Sequence, residues 1–140
     1  MSKLGMLILL PLIANGCHRP IQLLDSQRET AVFQFYDAAN QERFRARTSN
    51  PELIRKAREE LSQPLGERSL HPNGALIAGD GGVNMPWRWS YDESEWQLVE
   101  LSMELCDAKP SYVEANLENW LKEVGSFCPW GSQLEKEIFP

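Results

Sequence analysis

Cys17 closes a stretch that decides where the rest of this chain folds. Lys3 is followed by an apolar run, Leu4 to Ala14, interrupted only by Gly5 and Pro11. A short charged start and an apolar run of this length read as an export signal, too short to span a bilayer as a stable helix. Pro11 and the lack of an amphipathic period count against a buried N-terminal helix. Ala14 and Gly16 put small side chains at the third and first positions before the cysteine. The expectation is a signal over 1–16 and a mature chain that folds outside the cytoplasm.

Two processing routes fit those residues. Gly16-Cys17 resembles the end of a bacterial lipobox, which would leave Cys17 as a lipidated N-terminus. Asn15 and Ala14 depart from the lipobox pattern, and the same small residues also suit ordinary signal peptidase and soluble secretion. His18 rather than Asp follows the cysteine, so retention at the inner membrane is not indicated. The lipid route predicts a cell-envelope lipoprotein, periplasmic or on the outer membrane, that touches the bilayer through its acyl chains.

Of 140 residues, removal of the first 16 leaves 124, enough for one domain with a core and too few for two. The removed part carries Lys3, so the formal charge moves from −6 to −7. An acidic chain without a basic stretch argues against nucleic acid, whose phosphates need Lys and Arg, and against adhesion to anionic lipid by charge. Two cysteines remain inside the domain, Cys106 and Cys128. In an oxidising compartment such a pair reads as one disulfide, worth roughly 3 kcal/mol by loop entropy. Two buried free thiols are the alternative.

Polar residues 17–29 read as a tether, and 30–140 as a single domain. Ala31 to Tyr36 and Arg43 to Thr48 carry strand patterns, and Asn50-Pro51 opens a helix with Leu53, Ile54, Ala57 and Leu61 along one stripe. A short strand, Leu76 to Ala78, leads into Gly79-Asp80-Gly81-Gly82, a stretch suited to positive φ. Trp87, Trp89 and Tyr91 alternate. Asp92 to Glu95 is turn-like, and Trp96 to Cys106 reads as the clearest strand, with Leu101, Met103 and Leu105 facing inward and Glu100 and Glu104 outward. A second helix is expected over 112–124, capped by Ser111 with Glu114 at capping-box spacing and stopped by Gly125. Leu134 to Phe139 forms a short last segment. The fold class is α+β, an antiparallel sheet of four to five strands with two helices packed on it.

Three constellations bear on function. Trp87, Trp89 and Tyr91, with Trp96 and Trp130, offer a stacking surface for sugar or peptide if exposed, and core packing for at least half of them otherwise. Glu100, Glu104 and Asp107 place carboxylates together, which would suit a cation or simply a solvated sheet face. His71 with Cys106 or Cys128 is the one Cys–His arrangement available to the mature domain, and oxidation of the thiols removes it. The common hydrolase, zinc-protease and nucleotide-loop signatures are missing. No cofactor or metal is expected.

Longer motifs add to this. Asn84-Met85-Pro86-Trp87-Arg88-Trp89, Glu104-Leu105-Cys106-Asp107-Ala108, Tyr112-Val113-Glu114 and Phe127-Cys128-Pro129-Trp130 follow in order, after Arg43-Phe44, Pro51 to Ile54 and Ala57-Arg58. The chain resembles the N-terminal domain family of the seventy-four-kilodalton calmodulin-binding protein over about residues 42–135, with Ala31 to Gln41 standing as an addition. The resemblance implies a shared fold and a ligand site around Asn84, Trp87, Glu104, Asp107 and Trp130, to which the aromatic reading adds Trp89. It brings no enzymatic activity with it. Calmodulin itself is not expected, since helix 51–62 has zero net charge and helix 112–124 is acidic, whereas calmodulin targets are basic. The reading is a binding domain for an unknown protein, peptide or glycan. An enzyme using the acidic face or His71, and an inhibitor-like module presenting the 79–87 loop, are the alternatives.

Overall fold

Alternating burial shapes the first hairpin. Strand β1 (Ala31–Asp37) sends Phe33 and Phe35 into the core, and β2 (Glu42–Thr48) answers with Phe44, Ala46 and Thr48. Phe35 lies opposite Phe44 in the ladder and their rings stack at 5.2 Å, the kind of cross-strand pair that fixes register. The computed structural model describes residues 29–140. The signal, Cys17 and the tether up to residue 28 lie outside the described residues.

Helix α1 (Pro51–Ser62) starts as its sequence demands: the Asn50 side chain accepts from the amides of Glu52 and Leu53, and Pro51 takes the first position. It buries Leu53, Ile54 and Ala57, and also Glu60, whose carboxylate accepts from the Leu70 amide at 2.9 Å. Strands β3 (His71–Ala78) and β4 (Trp89–Val99) pair antiparallel, with His71 opposite Val99 and Ala78 opposite Trp89. Their register shifts between Gly74 and Leu76, where Asp92 to Glu95 bulge out and Asp92 accepts from both the amide and the hydroxyl of Ser94. Gly74 is required there, because a Cβ would collide with Cβ of Trp96 and the Glu95 carbonyl. The glycine loop follows, with Gly79, Gly81 and Gly82 all at positive φ as expected.

The remaining elements are α2 (Pro110–Ala115), α3 (Leu117–Asn119) continuing into a wide π turn (Trp120–Val124), β5 (Ser126–Phe127) and β6 (Ser132–Ile138). The fold is α+β, but the strands form two three-stranded antiparallel sheets, β2-β1-β6 and β4-β3-β5, in place of the single sheet expected. One core fills the space between them: Phe35, Phe44, Trp89, Tyr91, Trp96 and Phe127 touch in a continuous set of stacked and edge-on rings.

The sheets are joined by side chains where a ladder would otherwise run. Arg43, Arg45 and Arg47 turn their peptide groups to the edge of β2 away from β1. The Trp87 indole donates to the Arg43 carbonyl (2.7 Å), the Asn84 carboxamide accepts from the Arg45 amide (2.7 Å), and the Trp96 indole donates to the Arg47 carbonyl (2.8 Å). Asn84 completes the clamp by donating to the Trp89 carbonyl at 2.8 Å. On the other side, the Arg68 guanidinium donates to the carbonyls of Leu134 and Leu61, tying the chain before β3 to β6 and α1.

Two expected elements are rebuilt. The strand read over 96–106 stops at Val99, because its one ladder partner, β3, begins at His71. Glu100 and Glu104 therefore share no sheet face, and Glu104–Cys106 forms a 3-10 turn. The helix read over 112–124 breaks at Asn116 (φ −123°, ψ 33°), whose side chain bonds back to the Tyr112 carbonyl. Its capping box does not form: the Ser111 amide goes to the Glu42 carboxylate and Glu114 to Arg88, since charged tertiary partners outcompete a local hydroxyl.

Trp89 and Trp96 are both buried, but the Trp89 indole N–H has no acceptor whereas that of Trp96 serves Arg47. Trp96→Phe should therefore cost more than Trp89→Phe, by about 1–3 kcal/mol, because only the former strands a backbone carbonyl. Urea denaturation of both variants measures the difference.

Candidate functional site

The residues singled out for ligand contact divide into two groups with different environments. Asn84, Trp87 and Trp89 lie at the Trp89 end of β4. There Asn84 and Trp89 are fully buried, and Trp87 is half-buried, stacked on Trp89 at 6.1 Å with its N–H given to Arg43. Both polar groups of the Asn84 side chain are engaged inside the protein. Trp89 and Tyr91 form core, with Trp87 at its margin. The Tyr91 hydroxyl donates to the Phe127 carbonyl, and burial holds it well above the ordinary phenol range. The 79–87 loop is closed by the Gly79 amide on the Arg88 carbonyl and folded over Asp80, which accepts from the amides of Val83 and Asn84.

Glu104, Asp107 and Trp130 form the second group, and a disulfide gathers them. Cys106 and Cys128 are bridged, with Cα atoms 5.1 Å apart, which removes both thiols from any Cys–His pair. The Cys128 amide donates to the Cys106 carbonyl, and Asp107 accepts from the Trp130 amide at 2.9 Å. Glu104 and Asp107 face solvent. Beside them the chain exposes what the sequence pattern placed in a core: Leu101 is 88% exposed, Met103 72%, Leu105 81% and Trp130 47%. Among the described residues, no group of three His, Cys, Asp or Glu comes together to hold a metal ion, and no helix is long and apolar enough to cross a membrane.

His71 lies under this segment. It is buried, and its Nε2 is 2.7 Å from the Ser102 hydroxyl, which also accepts from the Asn73 carboxamide at 3.0 Å. Neither Ser102 nor Asn73 stood out in the sequence, since Ser102 reads as an outward residue of a strand. Burial lowers the His71 pKa below its ordinary 6.5, and the Asp107 charge opposes this more weakly. The folded state thus prefers neutral imidazole, so the unfolded chain takes the proton first as pH falls. Stability is full above about pH 6.5 and drops below it until the folded His71 itself titrates. Glu135, pushed up by burial but more strongly down by Arg43 and Gln34, and Glu114, likewise held down by Arg88, act only in more acid solution. The melting temperature should fall between pH 7 and pH 5, and His71→Gln should flatten that decline in a calorimetric series.

Known proteins place the chain by family. No curated protein matches it, and no solved structure does. The family model for the N-terminal domain of the seventy-four-kilodalton binding protein matches residues 29–140, and that span begins before β1. The segment Ala31 to Gln41 is accordingly part of the family domain and not an addition to it. The site motifs and the fold that surrounds them have a common source: the chain belongs to the N-terminal domain family of the seventy-four-kilodalton calmodulin-binding protein.

Proposed function

We propose that this chain is an exported interaction module, held at the cell envelope by lipid on Cys17, whose contact face is the bridge-pinned segment around Leu101, Met103 and Leu105 with Trp130. The observation that carries the reading is the exposure of those four apolar side chains on a segment anchored by the Cys106–Cys128 bridge. Adjacent apolar side chains in water mark contact surfaces, and anchoring reduces the ordering cost of binding. Glu104 and Asp107 supply polar orientation at the rim, and Trp87 adds a margin of aromatic surface. A protein or peptide partner fits this better than a glycan, because flexible Leu and Met chains repack against side chains and give a sugar few hydrogen bonds. The bridge also suits an oxidising compartment, in keeping with the signal reading of residues 1–16. The reading requires no catalytic step.

Binding to calmodulin draws no support from α1. Arg55 is paired with Glu52 and Glu59, and Arg58 with Glu137 and Glu29.

A photo-crosslinking residue placed at Met103 in intact cells tests the contact face. The expected result is a discrete protein adduct, lost when Leu101→Ser, Leu105→Ser and Trp130→Ala are combined; a folded chain that forms no adduct sinks the proposal. The anchor is tested separately by the intact mass of envelope-fraction protein. A chain starting at Cys17 and carrying diacylglycerol plus one acyl group is expected, and a mass showing residues 1–16 still attached would overturn it.

A further inference from the structure

Beneath the exposed segment, a hydroxyl, an imidazole and a carboxamide meet without any role in the binding reading. We propose that Ser102 and His71 form a nucleophile–base pair, oriented by Asn73, that accepts the acyl group of an apolar ester and passes it to water.

The geometry has the parts such a pair needs. Ser102 Oγ lies 2.7 Å from Nε2 of His71, the separation at which a hydroxyl proton can be handed to an imidazole. The Asn73 carboxamide N–H only donates, so it takes a lone pair of Ser102 Oγ and leaves the hydroxyl proton free to point at Nε2. His71 sits on β3 and is buried, which fixes its ring, whereas Ser102 is only half-buried and can be reached from solvent. Burial keeps the imidazole neutral, the form that accepts a proton, and Asp107 is near enough for its charge to favour the imidazolium that results. With Cys106 and Cys128 bridged, a serine nucleophile takes the place that the sequence offered to a thiol. The substrate class follows from the flanks. Ser102 lies between exposed Leu101 and Met103, so an apolar acyl chain has matching surface on either side of the nucleophile.

The chemistry balances with water as the co-reactant. Ser102 Oγ bonds to the ester carbonyl carbon while its proton moves to Nε2 of His71 and the carbonyl electron pair shifts to oxygen. Collapse breaks the bond to the alcohol, which leaves with the proton from His71. Water then attacks the acyl-serine, gives a proton to His71, and the acid departs as that proton returns to Ser102.

The pair stands or falls independently of any partner, since the test uses the purified domain alone. An alkyl fluorophosphonate is incubated with the folded, bridged protein, where attack forms a phosphorus–oxygen bond and expels fluoride with the serine proton. The expected result is one phosphonyl adduct mapped to Ser102, together with hydrolysis of p-nitrophenyl hexanoate that stops as the adduct accumulates in the unmutated protein. His71→Gln keeps an acceptor for the hydroxyl but no base, and should label at least about 100-fold more slowly. A purely structural hydroxyl would give no adduct. Absence of label on Ser102, label on a different serine, or an unchanged rate in a folded His71→Gln protein would each overturn the proposal.

Discussion

Three hydrogen bonds to one edge of β2 hold the architecture together. A strand edge that faces another sheet without pairing would bury peptide groups unsatisfied, at a cost of about 1–3 kcal/mol each. Here the Arg43 carbonyl, the Arg45 amide and the Arg47 carbonyl meet Trp87, Asn84 and Trp96. The partners are side chains, so the second sheet need not follow the direction or spacing of a ladder. That freedom lets the sheets face each other across Phe44, Trp89, Tyr91 and Phe127. The motif Asn84 to Trp89 thus reads as the device that closes the core, with its aromatic content directed inward.

The opposite corner is organised by covalent geometry. Once β4 runs out of a partner at Val99, the chain from Glu100 to Cys106 has no ladder to hold it. The bridge to Cys128, the Asp107 bond to Trp130 and the Ser102 contacts with His71 and Asn73 hold it instead. Apolar side chains that a longer sheet would have covered are left in solvent. The buried seam and the exposed rim thus have opposite characters: the first commits its polar groups to the fold, and the second leaves apolar surface uncovered.

Local signals were legible where their partners lie close in the chain. Asn50-Pro51 started a helix, and the alternation of residues 31–36 and 43–48 placed a hairpin, because capping and hairpin register depend on neighbours. The family was legible from motifs, through Cys106-Asp107 and Cys128-Pro129-Trp130, although those motifs left the first strand outside its span. The division into two sheets was hidden, since nothing in Trp87 or Trp96 announces that its N–H will serve a distant backbone. The 99–105 alternation misled because a period of two records which way side chains point and not whether a second strand covers them. Of the candidate residues, Glu104, Asp107 and Trp130 lie at the surface near one another, whereas the core consumes the chemistry that Asn84 and Trp89 offer. Ser102 and His71 stand 31 residues apart and meet only through the turn after β4.

The closure of β2 bears on life at high surface density. An open strand edge is a template on which a second chain can add itself, and proteins concentrated on a membrane encounter each other constantly. Here the peptide groups of Arg43, Arg45 and Arg47 are already occupied, and the arginine side chains are held by Glu135, Gln34 and Glu93. A neighbour approaching along β2 finds neither donor nor acceptor to recruit, so this side of the fold discourages strand-by-strand aggregation while the sticky rim at Leu101 to Leu105 stays available for chosen contacts.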